Sequence, residues 1–146
     1  MLLSPKRTKF RKQQKRKGLL SNPLRRERQV VDLEFGRYGL RVCGCGRLTA
    51  KQLESSRSTM MRMMRSSGSK STKLWLRTFP DIPVSKKPAA VRMGKGKGGH
   101  DHWATYVASG RILFELDGVS RDVAQEVVRC GSAKLPMLTK FVVSRL

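Results

Sequence analysis

Apolar positions repeat at helical spacing in two stretches of the chain. Thr49 and Gln52 stand three apart, ahead of Leu53, Met60 and Met64. That pairing is a capping box: a Thr hydroxyl accepts from the third helical N–H, and the Gln side chain reaches back. A helix is predicted to follow to about residue 66, with Gly68 as its stop. Its other face carries Lys51, Arg62 and Arg65, and the cluster Met60, Met61, Met63 and Met64 reads as core filling. A second helix is predicted from Ser120 to about residue 130. Val123, Ala124, Val127 and Val128 form its apolar stripe and Gly131 its stop.

The remaining apolar runs are short and β-prone. Residues 30–35 and 38–43 flank Gly36 and Gly39 and suggest a hairpin or bend. Residues 73–79 place Leu74, Leu76 and Thr78 on one face and read as a largely buried strand. Residues 103–108 and 111–117 flank Ser109-Gly110, so they are predicted to pair as a hairpin. Residues 137–144 form a last strand. Pro80, Pro83 and Pro88 punctuate a long loop, taken as residues 80–102. A loop of that length in a small domain is functional or unstructured. The expected fold class is therefore α+β: a small sandwich of antiparallel or mixed sheet with two helices. Residues 1–29 are expected as an extended arm and residues 30–146 as one domain carrying the Gly-rich loop.

Charge changes this picture more than composition does. The 146 residues hold 32 Lys and Arg against 10 Asp and Glu, a net charge of +22. Such an excess repels itself in a compact state unless a polyanion offsets it. The ten bases ahead of the first acid, Glu27, mark a segment too polar to fold alone. It reads either as an arm that orders on a polyanion or as a basic, acid-poor transit peptide. Another ten bases and one acid, Glu54, occupy residues 36–80. Residues 82–99 add five bases and no acid. After residue 114 the acids Glu115, Asp117, Asp122 and Glu126 shift the balance, and this part reads as scaffold and solvated face. No apolar run approaches the ~20 residues a membrane-spanning helix needs. Three cysteines, an odd number, speak against a disulfide framework.

Arg92-Met93-Gly94-Lys95-Gly96-Lys97-Gly98-Gly99 is the sharpest local feature. Its four glycines admit close backbone approach, and Arg92, Lys95 and Lys97 supply cations. A phosphate-binding nucleotide loop needs Ser or Thr after its Lys and then a helix. Here Gly98 and Gly99 follow Lys97, and then a predicted strand. Contact with an RNA backbone fits better, because Lys and Arg neutralise phosphates and release counterions. A flexible linker is the plainer alternative. Cys43 and Cys45 form C-x-C without a second pair, and zinc sites need about four ligands at set spacing. His100, Asp101 and His102 read as a polar strand entry rather than an acid–base centre. Trp75, Phe79, Trp103 and Tyr106 could stack on bases, although core packing is expected for at least two of them.

A resemblance then emerges from many motifs in order. Met1-Leu2-Leu3-Ser4-Pro5-Lys6-Arg7-Thr8-Lys9-Phe10-Arg11-Lys12 resembles the start of the bacterial-type large-subunit ribosomal protein sixteen family. So do Phe35-Gly36-Arg37-Tyr38-Gly39-Leu40, Gly46-Arg47-Leu48-Thr49-Ala50 and Trp75-Leu76-Arg77-Thr78-Phe79-Pro80-Asp81. Lys87-Pro88-Ala89, the stretch from Val91 to Gly98, Phe114-Glu115-Leu116-Asp117-Gly118-Val119 and Ala133-Lys134-Leu135-Pro136 continue the match over nearly the whole chain. The resemblance implies an α+β sandwich on large-subunit rRNA, close to the peptidyl-transferase region. The implied partners are that rRNA, A-site tRNA with P-site tRNA as a further contact, and neighbouring ribosomal proteins. No cofactor, metal, membrane or small-molecule substrate is implied, and no catalytic residue.

By the same resemblance, Lys6, Arg7, Lys9, Arg11 and Lys12 of the arm, with Arg37 and Arg47, face rRNA. Arg92, Met93, Gly94, Lys95, Gly96 and Lys97 form a loop toward tRNA and neighbouring rRNA. The family's N-terminus coincides with Met1, which implies an arm rather than a cleaved leader. Cys43, Cys45, the Ser- and Met-rich helix and the insert-like residues 66–73 depart from the bacterial pattern. With Phe35-Gly36-Arg37-Tyr38-Gly39 they look more like mitochondrial versions. The expected location is thus a mitochondrial ribosome, with the bacterial cytoplasm as the alternative. The rival functions are a nucleotide-dependent enzyme using the Gly–Lys loop and a free-standing RNA chaperone.

Overall fold

The computed structural model describes residues 3–14, 32–68 and 71–144. Strand β1 (Tyr38–Val42) and strand β2 (Gly46–Thr49) lead into helix α1 (Ala50–Ser66). Strands β3 (Lys73–Leu76), β4 (Ile82–Lys86), β5 (Gly99–Val107) and β6 (Ile112–Asp117) follow. Helix α2 (Arg121–Ser132) and strand β7 (Thr139–Val143) close the chain. The strands form a four-stranded sheet in the order β3-β6-β1-β7 and a three-stranded sheet in the order β2-β5-β4, both antiparallel. The α+β class expected from the sequence is the one observed.

Helix α1 begins where its capping box places it. The Thr49 N–H donates to Gln52 Oε1 at 2.9 Å, and the Gln52 N–H donates to Thr49 Oγ1 at 3.3 Å. Leu53, Met60 and Met64 are fully buried, as the spacing predicts. They join Leu40, Leu48, Phe114, Leu116 and Val127 in one core between the helices and the sheets. Leu3 is buried in that core as well, so the arm starts from an apolar anchor.

Several sequence expectations are corrected. Residues 107–112 do link two strands through a turn with Gly110 at φ +96°. However, β5 and β6 belong to different sheets and do not pair. The backbone of the turn is captured instead by β1: the Gly110 N–H donates to the Val42 carbonyl at 2.8 Å, and the Val42 N–H to the Arg111 carbonyl at 2.9 Å. The expected loop 80–102 is a loop only between residues 87 and 98, because β4 and the start of β5 occupy its ends. Pro83 lies within β4, which a missing N–H allows because β4 is an edge strand. β3 is shorter than expected and half-buried, also at an edge.

Residues 32–37 are not a hairpin strand, and residues 30 and 31 lie outside the described residues. This segment folds back over the sheet, and a Cβ on Gly39 would come within 2.4 Å of the Leu33 side chain. Gly131 does not end α2; it lies inside the helix, against α1. A Cβ there would sit 2.5 Å from Met60 Cγ, and the Gly131 carbonyl accepts a hydrogen bond from Ser56 Oγ at 2.9 Å. Glycine serves here as a helix–helix contact point, with Ala133 as the cap.

Candidate nucleic-acid interface

The arm residues Lys6, Arg7, Lys9, Arg11 and Lys12 are all exposed. The Lys9 ammonium lies 5.6 Å from the centre of the Phe10 ring, a cation–π distance. Further along, the arm meets the Gly-rich loop. Lys12 Nζ donates to the Lys97 carbonyl at 3.1 Å, and Lys97 Nζ donates in return to the Gln13 carbonyl. Segments more than 80 residues apart are thus crosslinked by two lysines. Each spends an N–H on a neutral carbonyl, so its positive charge is not cancelled.

The loop holds itself open in a specific shape. Gly94, Lys95 and Gly96 have φ of +102°, +51° and +79°, three successive left-handed residues. Glycine suits that region at little steric cost, whereas Lys95 at the middle carries a backbone cost of order 1 kcal/mol. Lys87 Nζ donates to the Gly94 carbonyl and ties the two sides of the loop together. Arg92, Met93, Lys95 and Lys97 project to solvent, with Met93 97% exposed.

Arg47 and Arg37 part company. Arg47, on β2 opposite Tyr106 of β5, lines a depression with Gln13 and Lys97 and so joins the arm and loop. Arg37 lies instead beside Asp117 at 3.9 Å, near Ser120 and Val123 of α2. Of the thirteen residues singled out, the structure brings Lys12, Arg47 and Lys97 together and leaves Arg37 in other surroundings.

Two features of this surface were not anticipated. One is Lys87, the loop's internal tie. The other is Glu115, read from sequence as part of a solvated face yet fully buried. Glu115 Oε2 accepts the N–H groups of Glu34, Phe35 and Gly36 at 3.1, 2.7 and 3.0 Å. Glu115 Oε1 accepts from Arg77, whose guanidinium also meets Glu34 at 2.9 Å and covers the Phe35 ring at 4.8 Å. Phe35 in turn stacks on Trp75 with centroids 6.1 Å apart. This buried carboxylate fastens the entering chain to β6 and β3.

The aromatic candidates also resolve differently from expectation. Phe79 is 47% exposed, and Trp75, Trp103 and Tyr106 are half-buried rather than core residues. His102 Nδ1 is hydrogen-bonded to Asp101 Oδ2 at 2.7 Å within β5. That bond, with Lys86 and Lys51 near by, holds the Asp101 carboxyl below its usual range. Among the described residues, no group of three or more His, Cys, Asp or Glu is placed to hold a metal ion. Among the described residues, no helix is long and apolar enough to cross a membrane.

Fold and charge together define a class: a strongly basic small α+β protein in which an exposed basic arm meets an exposed basic loop. Within that class the chain belongs to the ribosomal protein L16p/L10e family, whose model matches residues 5–142. It is 52% identical over 141 residues to the large ribosomal subunit protein uL16 of Bartonella bacilliformis, covering 97% of this chain and 96% of that protein. The uL16 proteins of Bartonella quintana and Bartonella henselae are each 50% identical over the same span.

Proposed function

We propose that the chain is a structural component of the large ribosomal subunit. It binds large-subunit rRNA through its arm and loop and helps organise the A-site tRNA region near the peptidyl-transferase centre. Neighbouring subunit proteins are its other partners. It contributes charge neutralisation and positioning rather than chemistry, and it uses no cofactor. The observation that carries this reading is the pair of bonds between arm and loop, from Lys12 to the Lys97 carbonyl and from Lys97 to the Gln13 carbonyl. It makes one positive surface of two segments whose charge would otherwise drive them apart. Phosphates on a folded RNA are the polyanion such a surface suits. Full relatedness to uL16 proteins along the chain supports the ribosomal setting.

The bacterial sources of those relatives favour a bacterial cytoplasmic ribosome over the mitochondrial one. Sucrose-gradient fractionation of cells producing a tagged full chain tests the assignment. Co-migration with large subunits at moderate salt is expected. A pool confined to the top of the gradient would point to a free RNA chaperone instead, and tight binding of ATP or GTP by the purified protein would point to an enzyme.

A further inference from the structure

Three shallow depressions adjoin one another away from the tip of the loop. The first holds Phe35 and Trp75 and shares Arg77 and Phe79 with the second. The second, of about 450 Å³, shares Ile82 and Tyr106 with the third, which ends against Arg47, Lys97 and Gln13 of the arm. They make a continuous groove that leads from the edge of the four-stranded sheet to the arm–loop junction.

Aromatic and cationic side chains share its lining: Phe35, Trp75, Arg57 and Arg77 in the first depression, Phe79, Tyr106 and Arg111 in the second, and Arg47 and Lys97 in the third. Arg77 is neutralised by Glu34 and Glu115, so it contributes a flat, fixed guanidinium rather than net charge. Arg111 is oriented by donation from its Nε to Thr78 Oγ1 at 3.3 Å. Arg47 is exposed, and Lys97 keeps its charge while donating to a carbonyl. Asp81 is the one carboxylate among the described residues lining the three depressions.

Rings and cations lining one groove match a chain that carries both bases and phosphates. A duplex hides its base faces, so stacking selects unpaired nucleotides. The edge strands β3 and β4 border the groove, but Pro83 lacks the N–H that a paired peptide would need from β4, and guanidinium groups beside the rings suit a peptide less. We infer that this groove is a stacking site for a short unpaired RNA segment, with bases on Phe79 and Tyr106 and phosphates at Arg111, Arg47 and Lys97. The inference rests on the rRNA-binding reading and extends it by naming the form of the RNA and the place of its bases.

The test uses the full chain and two probes, a labelled oligouridylate and a fully paired RNA hairpin, at one ionic strength. Phe79→Leu and Tyr106→Leu keep apolar bulk but remove the ring face. Each is expected to weaken oligouridylate binding about 5-fold or more, toward the roughly 5- to 150-fold range of a lost base stack. Hairpin binding and melting temperature should stay as in the parent. Unchanged oligouridylate affinity, or equal loss on both probes, would overturn the groove and leave the rRNA reading standing. A parent chain that binds neither probe would contradict the rRNA reading itself. Should a leucine variant fail to fold, photo-crosslinking of a thiouridine-bearing oligonucleotide to the parent chain decides. Adducts on Phe79 or Tyr106 support the inference, and adducts confined to the arm and loop overturn it.

Discussion

Glu115 shows how much can rest on one side chain. A carboxylate in the middle of β6 would be a heavy cost if left alone, because a buried charge must be paired or hydrogen-bonded. Here three backbone N–H groups and Arg77 satisfy it. Removing one partner of such a buried pair strands the others. Glu115→Ala is therefore expected to cost about 3–5 kcal/mol of folding stability, measured by denaturant unfolding. Glu115→Gln keeps an acceptor for the backbone and should cost less. A loss below about 1 kcal/mol for the alanine variant would contradict the role assigned to this residue. Nothing in the local sequence marks Glu115, since the acids around it are solvated. Its burial depends on Arg77 and on residues 34–36, which only the sheet brings together. The cations of the loop are the opposite case, legible from spacing alone. The double variant Arg92→Ala, Lys95→Ala is expected to impair translation while leaving the melting temperature of the full chain nearly unchanged, because neither side chain touches the core. A large drop in melting temperature would show that the loop supports the fold.

At the scale of elements, local signals are legible in the sequence and strand pairing is not. The capping box and the Leu53, Met60, Met64 spacing located α1 because both act within one helix. The turn at Ser109-Gly110 was legible as a turn, but its strands join different sheets. Whether a turn closes a hairpin depends on which backbone takes up its hydrogen bonds, and Val42 of β1 does so here. β4 was hidden by its proline, whose meaning reverses at a sheet edge. Gly131 carried an ordinary stop signal, yet the approach of α1 determines its use. Gly131→Ala would gain up to about 1 kcal/mol in helix propensity. The added methyl would press on buried Met60 at an overpacking cost of about 1–3 kcal/mol. The expected result is a net loss near 1 kcal/mol in thermal or denaturant unfolding. A variant more stable than the parent would show that Met60 yields freely.

For the molecule as a whole, charge is the most legible property and the one that organises function. The +22 excess by itself points to a polyanionic partner. The structure adds how two of the basic segments meet: the arm, anchored by Leu3 in the core, lies against the Gly-rich loop through Lys12 and Lys97. Sequence could nominate each segment but could not join them, because their contact is between side chains and distant carbonyls. Joined segments should act together, so removing the cations of the arm should weaken what the loop binds as well. The most direct measurement is the affinity of the purified full chain for large-subunit rRNA across a salt series. Contact with six to ten phosphates predicts a fall of about 10³- to 10⁵-fold between roughly 50 and 200 mM salt. The slope should become shallower when Lys6, Arg7 and Lys9 are changed to alanine. An affinity that hardly moves with salt would contradict the account.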